Sequence, residues 1–350
     1  MSAENRKKKK KNNSSGSMRL KYVALELSLL ILTLLIAKCA VVNRSKTPGP
    51  DAGSSGTESL PVTTDAPYVP PDFSALCESV SPRIVSPTFF VYDLEAGEFI
   101  YRKGTDRTLL PASITCVWTA LYALTVIDRD EVITVTEEAL SVVPSGTVKA
   151  NVYKGQQLKM SMLVEGMIVA SGCDCAYVVA VEAGRRISLD SGSELSPEDA
   201  VSRFMMGLND WARRAGCQGT VLSEPYGIST TDHYTTANDL ALIADYALKS
   251  PAVANCVGIY SERVRYHSGQ STTWTNKNQI LNESSEYYSP LATGIKTGTI
   301  AGQNNLLASF SLAAGEKSRF VIGAFGASES SARFADAKLI IDTLSSSLTN

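Results

Sequence analysis

The chain has 350 residues, of which 44% are hydrophobic and 19% are charged, and its net charge at pH 7 is −2. This is enough apolar material for an ordinary globular core of one or two domains, and it excludes a chain too polar to fold. The near-neutral total conceals a strongly basic N-terminus followed by an acidic remainder.

The N-terminal 42 residues predict a membrane anchor. Residues 1–21 hold eight Lys or Arg against the single acid Glu4, and residues 22–42 are apolar apart from Glu26 and Lys38. A helix of about 21 residues is ~30 Å long, enough to span the core of a bilayer. A basic segment directly before such a helix favours a cytoplasmic N-terminus over a nucleic-acid-binding arm. The alternative is a cleaved signal peptide, but no clean small-residue cleavage site follows.

The next segment, 43–75, is rich in Pro, Gly, Ser and Thr and is predicted to be a flexible stalk. It would hold the remaining residues, 76–350, on the extracytoplasmic side of the cell membrane. Disulfides can persist in that compartment. The predicted protein is therefore single-pass, with a cytoplasmic tail at 1–21 and an exported domain.

The domain begins with strands and continues with helices. Alternating apolar residues from 88 to 104, with a turn at 95–97, predict a β-hairpin. Residues 113–128 are predicted to form a helix that is buried on nearly all sides. Two further apolar helical runs follow, interrupted at 171–172.

The second half of the domain returns to strands. A helix is predicted to start after Ser196, with Pro197 in its first turn and Asp199 completing a capping box. Two strands flank Gly315, and residues 330–348 form a closing amphipathic helix. This order predicts an α+β fold with a single antiparallel sheet.

Histidine, metal and nucleotide chemistry have little support. The chain contains two histidines, His233 and His267, and a structural hydrogen-bonding role is favoured for His233 over a catalytic one. No HExxH, paired CxxC or phosphate-binding glycine loop occurs. We therefore predict no metal and no cofactor.

Three short motifs carry the chemistry, in the order Ser113-Ile114-Thr115-Cys116, Ser171-Gly172-Cys173 and Lys296-Thr297-Gly298-Thr299. Together with their flanking segments, across about residues 84–345, they resemble the serine-type D-alanyl-D-alanine carboxypeptidases. These are low-molecular-mass penicillin-binding proteins with SxxK, SxN and KTG motifs. The resemblance implies a β-lactamase/transpeptidase-like fold, an antiparallel sheet flanked by helices plus an all-helical subdomain.

The resemblance also implies a role for each motif residue. Ser113 matches the acylated nucleophile, and Ser171 matches the hydroxyl that relays a proton to the leaving group. Lys296 and Thr297 match the residues that hold the terminal carboxylate of a D-Ala-D-Ala stem peptide or of a β-lactam. The backbone N–H groups of Ser113 and Thr299 match the oxyanion hole.

Two positions depart from the family pattern. The lysine of SxxK is Cys116 here, and the asparagine of SxN, which contacts that lysine in the family, is Cys173. A serine hydroxyl needs a base to take its proton, and a thiol with an ordinary pKa of ~8.5 is mostly protonated at neutral pH. Loss of a general base typically costs on the order of 10²- to 10⁴-fold in rate.

The paired loss leaves three alternatives for the cysteines. Cys116 and Cys173 form a disulfide in place of the Lys–Asn contact, or both are free buried thiols, or they bind a metal together with Cys175. A Cys217–Cys256 disulfide is a further guess.

Two hypotheses for function follow. The favoured one is a pseudoenzyme that keeps the groove, including Lys296-Thr297-Gly298, to bind peptidoglycan stem peptides or to scaffold envelope partners. The other is a working serine carboxypeptidase that uses another proton acceptor. A β-lactamase is a weaker third, because no plausible deacylation loop follows the second motif. The predicted partners are the stem peptide or β-lactam and the membrane, without nucleic acid.

Overall fold

The computed structural model describes residues 72–188, 195–266 and 269–347. The predicted cytoplasmic tail, the anchor at 22–42 and nearly all of the stalk lie outside these ranges. Within them, no helix combines the length and the apolar character that crossing a bilayer requires.

The helices and strands follow one another along the described chain as α1 (Phe73–Val80), β1 (Thr88–Asp93), β2 (Glu98–Lys103), α2 (Thr115–Ala123), β3 (Val132–Thr134), α3 (Glu137–Ser141), β4 (Gln157–Lys159), α4 (Met160–Ile168), α5 (Cys173–Ile187), α6 (Pro197–Ala215), α7 (Ala237–Lys249), α8 (Pro251–Val257), β5 (Ser261–Arg265), β6 (Ser271–Thr275), β7 (Ala292–Ile300), β8 (Gln303–Phe310), β9 (Phe320–Ala327) and α9 (Ala332–Ser346). Short 3₁₀ turns occur at Ser81–Arg83, Ala112–Ile114 and Gln279–Leu281.

The main sheet has five strands in the order β2-β1-β9-β8-β7, and every neighbouring pair is antiparallel. The predicted hairpin is β1–β2, and the predicted strands around Gly315 are β8 and β9. Strand β7 lies at one edge of the sheet, so one side of its backbone is turned away from the other strands. Because this strand carries Lys296, the third motif lies at that edge of the sheet.

The sheet separates two hydrophobic cores. Successive residues of a strand point to opposite faces, so Phe89 packs in one core and Phe90 in the other. Helices α1 and α9 cover the first face, whereas the helices between β2 and β7 cover the second. This arrangement confirms the predicted antiparallel sheet flanked by helices with a helical region on one side.

Local sequence signals explain several helix ends. The Ser196 hydroxyl accepts the Asp199 N–H at 3.1 Å, Pro197 occupies the first turn and Gly216 ends α6 in a left-handed conformation. The predicted N-cap at Ser196 is therefore confirmed, whereas the Asp199 carboxylate accepts from the Ser196 hydroxyl and not from the backbone N–H that completes a capping box. Asp72 caps α1 in the same way, so helical structure begins at Phe73, slightly before the predicted domain start at 76.

Two small hairpins were not predicted. Strands β3 and β4 pair with each other, as do β5 and β6, apart from the main sheet. Strands β3 and β4 have three residues each, too few for alternation to be recognised, and the single-sheet prediction is incomplete for that reason.

Candidate active site

Ser113 lies in the 3₁₀ turn that leads into α2, and its residue is 8% exposed. The preceding Ala112 has φ +53°, a left-handed value that a residue with a side chain adopts at a cost of about 1–3 kcal/mol. The Thr115 hydroxyl donates to the Ala112 carbonyl at 2.8 Å and holds this turn. The strained turn thereby fixes Ser113 at the N-terminal end of α2, where the helix dipole favours a negative charge.

Lys296 brings the second and third motifs together. Its residue is 1% exposed, and its Nζ donates to the Ser171 Oγ at 2.9 Å and to the Thr297 carbonyl at 3.1 Å. Burial lowers the pKa of Lys296 from 10.5 to about 8, since a charged group loses hydration in the interior. At pH 7 the side chain is therefore still mostly an ammonium. Ser171, like Ala112, has a left-handed backbone, with φ +56°.

Gly298 allows strand β7 to approach the start of α2 closely. A Cβ atom added at Gly298 would lie 2.7 Å from the Ala112 Cβ and 3.2 Å from the Ser113 backbone nitrogen. Only a residue without a side chain fits there. The structure thus brings Ser113, Ser171 and Lys296-Thr297-Gly298 into one region, and Thr299 follows on the same strand.

The three interior cysteines near this region are free thiols. Cys116, Cys173 and Cys175 are all buried, and none of the described cysteines forms a disulfide. The Cys116 Sγ points to the Tyr226 carbonyl, 4.0 Å away. The alternative of a Cys116–Cys173 disulfide is therefore wrong for this structure, because both cysteines are free thiols.

The guessed Cys217–Cys256 pair is likewise not bonded. Among the described residues, no group of three His, Cys, Asp or Glu side chains could hold a metal ion, which removes the metal alternative for the cysteines there. Burial raises the pKa of Cys116 and of Cys173 to about 12. Cys116 is consequently a neutral thiol at pH 7 and cannot act as a base.

His233 hydrogen-bonds with Thr115, the residue that holds the turn of Ser113. Its Nδ1 accepts the Ser223 N–H at 3.1 Å, so the neutral ring carries its proton on Nε2 and donates it to the Thr115 Oγ1 at 2.8 Å. Burial lowers the pKa of His233, which keeps the ring neutral. These contacts agree with the structural role that the sequence favoured. His267 lies outside the described residues.

Sequence reasoning missed two residues at this site. Arg333 of α9 donates from its Nη1 to the carbonyls of Gly298 and Asn305, at 2.7 and 2.9 Å. These bonds connect α9 to β7 and β8. Tyr226 is buried, and its carbonyl lies 4.0 Å from the Cys116 Sγ. The only sequence signal for Tyr226 is a Pro-Tyr-Gly turn, which is typical of many loops.

The fold and the three assembled motifs define the class of β-lactamase/transpeptidase-like proteins. A sequence profile described as D-alanyl-D-alanine carboxypeptidase matches residues 77–326, and the chain belongs to this family. The relatives include D-alanyl-D-alanine carboxypeptidase DacF of Bacillus subtilis, 25% identical over 71% of this chain and 59% of its own length. Another is the D-alanyl-D-alanine carboxypeptidase of Streptomyces sp. strain K15, 28% identical over 62% of this chain and 73% of its own length.

Solved structures show the same fold. The Streptomyces K15 DD-transpeptidase matches with a TM-score of 0.64 at 23% identity, over 75% of this chain and 97% of that protein. The carboxypeptidase DacD of Francisella tularensis matches with a TM-score of 0.59 at 19% identity, over 74% of this chain and 70% of that protein. The chain spans about three fifths of the length of the Bacillus relative.

Proposed function

We propose that this domain recognises D-alanyl-D-alanine-ended stem peptides and β-lactams, and that Ser113 is acylated much more slowly than a serine paired with lysine. The observation that carries the proposal is the placement of the Lys296 ammonium beside Ser171 at the edge strand next to Ser113. The relatives are named for D-alanyl-D-alanine carboxypeptidase activity, which supports the same substrate class.

Binding is supported by charge and by strand geometry. An ammonium has three N–H donors, and Ser171 and the Thr297 carbonyl account for two of those of Lys296. The third can pair with a carboxylate, which both a stem peptide and a β-lactam carry. The edge strand β7 offers main-chain groups to an extended peptide. These features persist whatever residue occupies position 116.

Slow chemistry is supported by Cys116. Its thiol stays protonated at neutral pH and its side chain is several atoms shorter than lysine, so it offers the Ser113 hydroxyl no base. The loss of a general base corresponds to on the order of 10²- to 10⁴-fold in acylation rate. The family's turnover is therefore the part of its function that we expect to be reduced.

A second candidate is a working serine carboxypeptidase that uses another proton acceptor. One observation favours it: burial lowers the pKa of Lys296 to about 8 and the amine lies 2.9 Å from Ser171, so the neutral form is available in mildly alkaline solution. In both candidates we propose that segment 22–42 anchors the domain in the cell membrane and that the domain lies on the extracytoplasmic side.

Binding and acylation are tested separately. The purified full-length chain in detergent is titrated with a diacylated Lys-D-Ala-D-Ala peptide by calorimetry. Lys296→Gln is expected to abolish binding, whereas the exposed Lys249→Gln serves as the matched control and should bind normally. Absence of binding by the unaltered chain would refute the proposed recognition.

Acylation is followed with a fluorescent penicillin, and the adduct is located by mass spectrometry. We expect slow labelling at Ser113 and an increase of about 10²-fold or more in the variant carrying Cys116→Lys and Cys173→Asn. Cys77→Ala, which alters a buried thiol in the other core, is the control and should leave the rate unchanged. Stoichiometric labelling of the unaltered chain within seconds would favour the working carboxypeptidase instead.

A further inference from the structure

Ser171 is in direct contact with a lysine. The Lys296 Nζ lies 2.9 Å from the Ser171 Oγ, a distance at which a proton can pass between the two atoms. The Thr297 carbonyl accepts a second hydrogen bond from the same amine, at 3.1 Å, and so orients it. A serine in contact with a base that a third group orients is the arrangement of an activated nucleophile. The family pattern places its lysine one turn after Ser113, but here the serine–lysine contact is made at Ser171.

The backbone around Ser171 is held in a strained turn. Ser171 has φ +56°, a left-handed value that a residue with a side chain adopts only where its surroundings hold it. The Gly172 N–H donates to the Gly166 carbonyl of α4 at 2.9 Å, and the Cys173 N–H donates to the Val148 carbonyl at 2.8 Å. Because these bonds fix the turn, the Ser171 hydroxyl is preorganised beside the amine.

Ser171 also lies where a negative oxygen is stabilised. It directly precedes Gly172, the N-cap of α5, and this helix of 15 residues has the positive end of its dipole there. The residue is 7% exposed, close to the 8% of Ser113. A serine oxygen that loses its proton is therefore favoured at Ser171, and solvent reaches the two serines to a similar extent.

We propose that Ser171 and Lys296 form a second acyl-transfer centre of this domain, an esterase centre for small uncharged acyl esters in which Ser171 is the nucleophile and Lys296 is the base. This activity goes beyond the proposed function, because neither Ser113 nor a substrate carboxylate takes part in it.

The charge of Lys296 decides the substrate class. As an ammonium, the side chain attracts carboxylates, whereas as a neutral amine it has a lone pair that can accept the Ser171 proton. A carboxylate bound at the Nζ keeps the amine protonated, but an uncharged ester leaves it free to lose its proton. Stem peptides and β-lactams thus suit the ammonium form, and uncharged esters suit the neutral form.

The reaction conserves every proton. The Ser171 Oγ forms a bond to the ester carbonyl carbon while its proton moves to the neutral Lys296 nitrogen. The C–O bond to the leaving group then breaks, and the Lys296 ammonium gives the proton to the departing oxygen, which leaves as an alcohol. Water next attacks the acyl carbon on Ser171 and gives one proton to Lys296. The acid is released as Lys296 passes that proton to the Ser171 Oγ.

The groups around Lys296 set the pH at which it can act as a base. Burial is the main cause that lowers its pKa to about 8, a charge on Cys116 would oppose this, and the cations Lys277 and Arg333 add to it. Cys116 is a neutral thiol at this pH, because burial raises its own pKa to about 12. The neutral fraction of Lys296 is therefore about one tenth at pH 7 and about nine tenths at pH 9.

The test uses 4-nitrophenyl acetate, an uncharged ester whose leaving group is followed by its absorbance. The purified full-length chain in detergent is incubated with it at pH 8.5 and quenched in acid, and the acetyl group is located by mass spectrometry. We expect the acetyl group on Ser171, and kcat/KM, corrected for spontaneous hydrolysis, should rise about 9-fold from pH 7 to pH 9. An acetyl group on Ser113 or on the Lys296 amine in its place would overturn the proposal.

Two variants test the roles of the pair. Ser171→Gly and Lys296→Gln should each lower kcat/KM for the ester by at least about 100-fold. Glycine is chosen because it adopts φ +56° without strain. Ser284→Gly, at an exposed loop serine, and the exposed Lys249→Gln are the matched controls and should keep the full rate. A loss of less than about 3-fold in Ser171→Gly would overturn the proposal, and the location of the acetyl group in the unaltered chain does not depend on either variant folding.

Competition separates this activity from the proposed recognition of carboxylates. A diacylated Lys-D-Ala-D-Ala peptide should inhibit ester hydrolysis at pH 7.5, because its carboxylate keeps Lys296 protonated, whereas the same peptide amidated at its C-terminus should not. Acetylation of Ser171 that the peptide does not inhibit would support the esterase centre and count against the proposed recognition. Peptide binding without any acetyl group on Ser171 would overturn the esterase centre and leave the proposed recognition intact.

Discussion

At the scale of residues, the most informative feature is that the charged side chain of Lys296 is almost fully buried. A buried ammonium is costly unless it is hydrogen-bonded, and the structure supplies Ser171 and the Thr297 carbonyl. The same burial that lowers its pKa strengthens its attraction to an anion, because water is excluded. A site of this kind suits a carboxylate ligand over a neutral one.

We therefore expect carboxylate binding to weaken as pH rises through about 8. Lys296 has its pKa lowered to about 8, so the ammonium fraction falls from about nine tenths at pH 7 to about one tenth at pH 9. A bound carboxylate favours the ammonium, so the dissociation constant rises from about pH 8 up to the higher pKa that Lys296 has in the complex. The dissociation constant of a D-Ala-D-Ala peptide, measured from pH 6.5 to 9.5, should rise, while the same peptide amidated at its C-terminus should bind weakly throughout. A dissociation constant that is independent of pH would contradict this assignment.

His233 gives a second prediction at this scale. Burial lowers its pKa below the ordinary 6.5, so below about pH 6.5 the unfolded chain binds a proton that the folded chain does not. The free energy of unfolding should accordingly fall as the pH is lowered from 7 to 5. Glu165, whose pKa burial raises to about 7, contributes in the opposite direction. Only the difference between variants therefore isolates the histidine.

The variant is His233→Asn, studied by urea unfolding at pH 7 and pH 5. It should cost about 1–3 kcal/mol at pH 7, since Ser223 and Thr115 lose their buried partner. Its further loss on going to pH 5 should be smaller than that of the unaltered chain. An equal loss in both proteins would show that His233 does not titrate in this range.

At the scale of elements, the turn at 224–229 and the start of α2 act as one unit. The Glu224 carboxylate accepts backbone N–H groups of the turn. Thr119 of α2 donates to the Pro225 carbonyl, and His233 hydrogen-bonds with both Ser223 and Thr115. Neither segment has the regular pattern of a helix or strand at the contact. Its geometry is therefore set by specific hydrogen bonds and by close backbone approach.

Gly227→Ala tests this unit. The added Cβ would lie 1.9 Å from the Ala112 oxygen, so backbone must move in addition to the strain of φ +99°. Gly155→Ala is the matched control, with φ +83° and no atom within 4 Å of the added Cβ. We expect the control to cost ~1–2 kcal/mol and Gly227→Ala at least about 2 kcal/mol more, with slower labelling of Ser113. Equal costs in urea unfolding would mean that the turn does not press on Ala112.

At the scale of the whole molecule, the sheet divides two cores and the site lies where its edge strand meets the helical part. Asp336 of α9 accepts the N–H groups of Val85 and Ser86, at 3.1 and 2.8 Å, and so connects the last helix to the first strand region. Arg333 of the same helix donates a hydrogen bond to the Gly298 carbonyl of β7. The C-terminal helix thereby stabilises both the beginning of the domain and the motif strand.

The predicted anchor also belongs to this scale. In a bacterial host, the full chain is expected to remain with membranes after alkaline extraction. Leu30→Arg combined with Leu34→Arg should release it, because a central arginine costs about 2.5–3.5 kcal/mol of insertion free energy. Leu30→Val with Leu34→Val is the control and should stay with the membranes. Extraction of the unaltered chain would contradict the anchor.

The sequence by itself determined the β1–β2 hairpin, the strands around Gly315, the capped start of α6, the sheet with helices on its faces and the three motifs. These depend on local signals or on a shared family pattern, both of which are visible in neighbouring residues. It also predicted that Cys116 stands where the family pattern has its lysine. It left the state of the cysteines open, because pairing depends on the direction in which each side chain points.

Only the tertiary structure decided which residues surround Ser113. Tyr226 lies 113 positions and Arg333 lies 220 positions from that serine in the sequence, and neither stands in a motif. The Tyr226 carbonyl lies 4.0 Å from the Cys116 Sγ, and Arg333 donates to the Gly298 carbonyl of β7. The lowered pKa of Lys296 was equally hidden, since it results from burial by segments far apart along the chain.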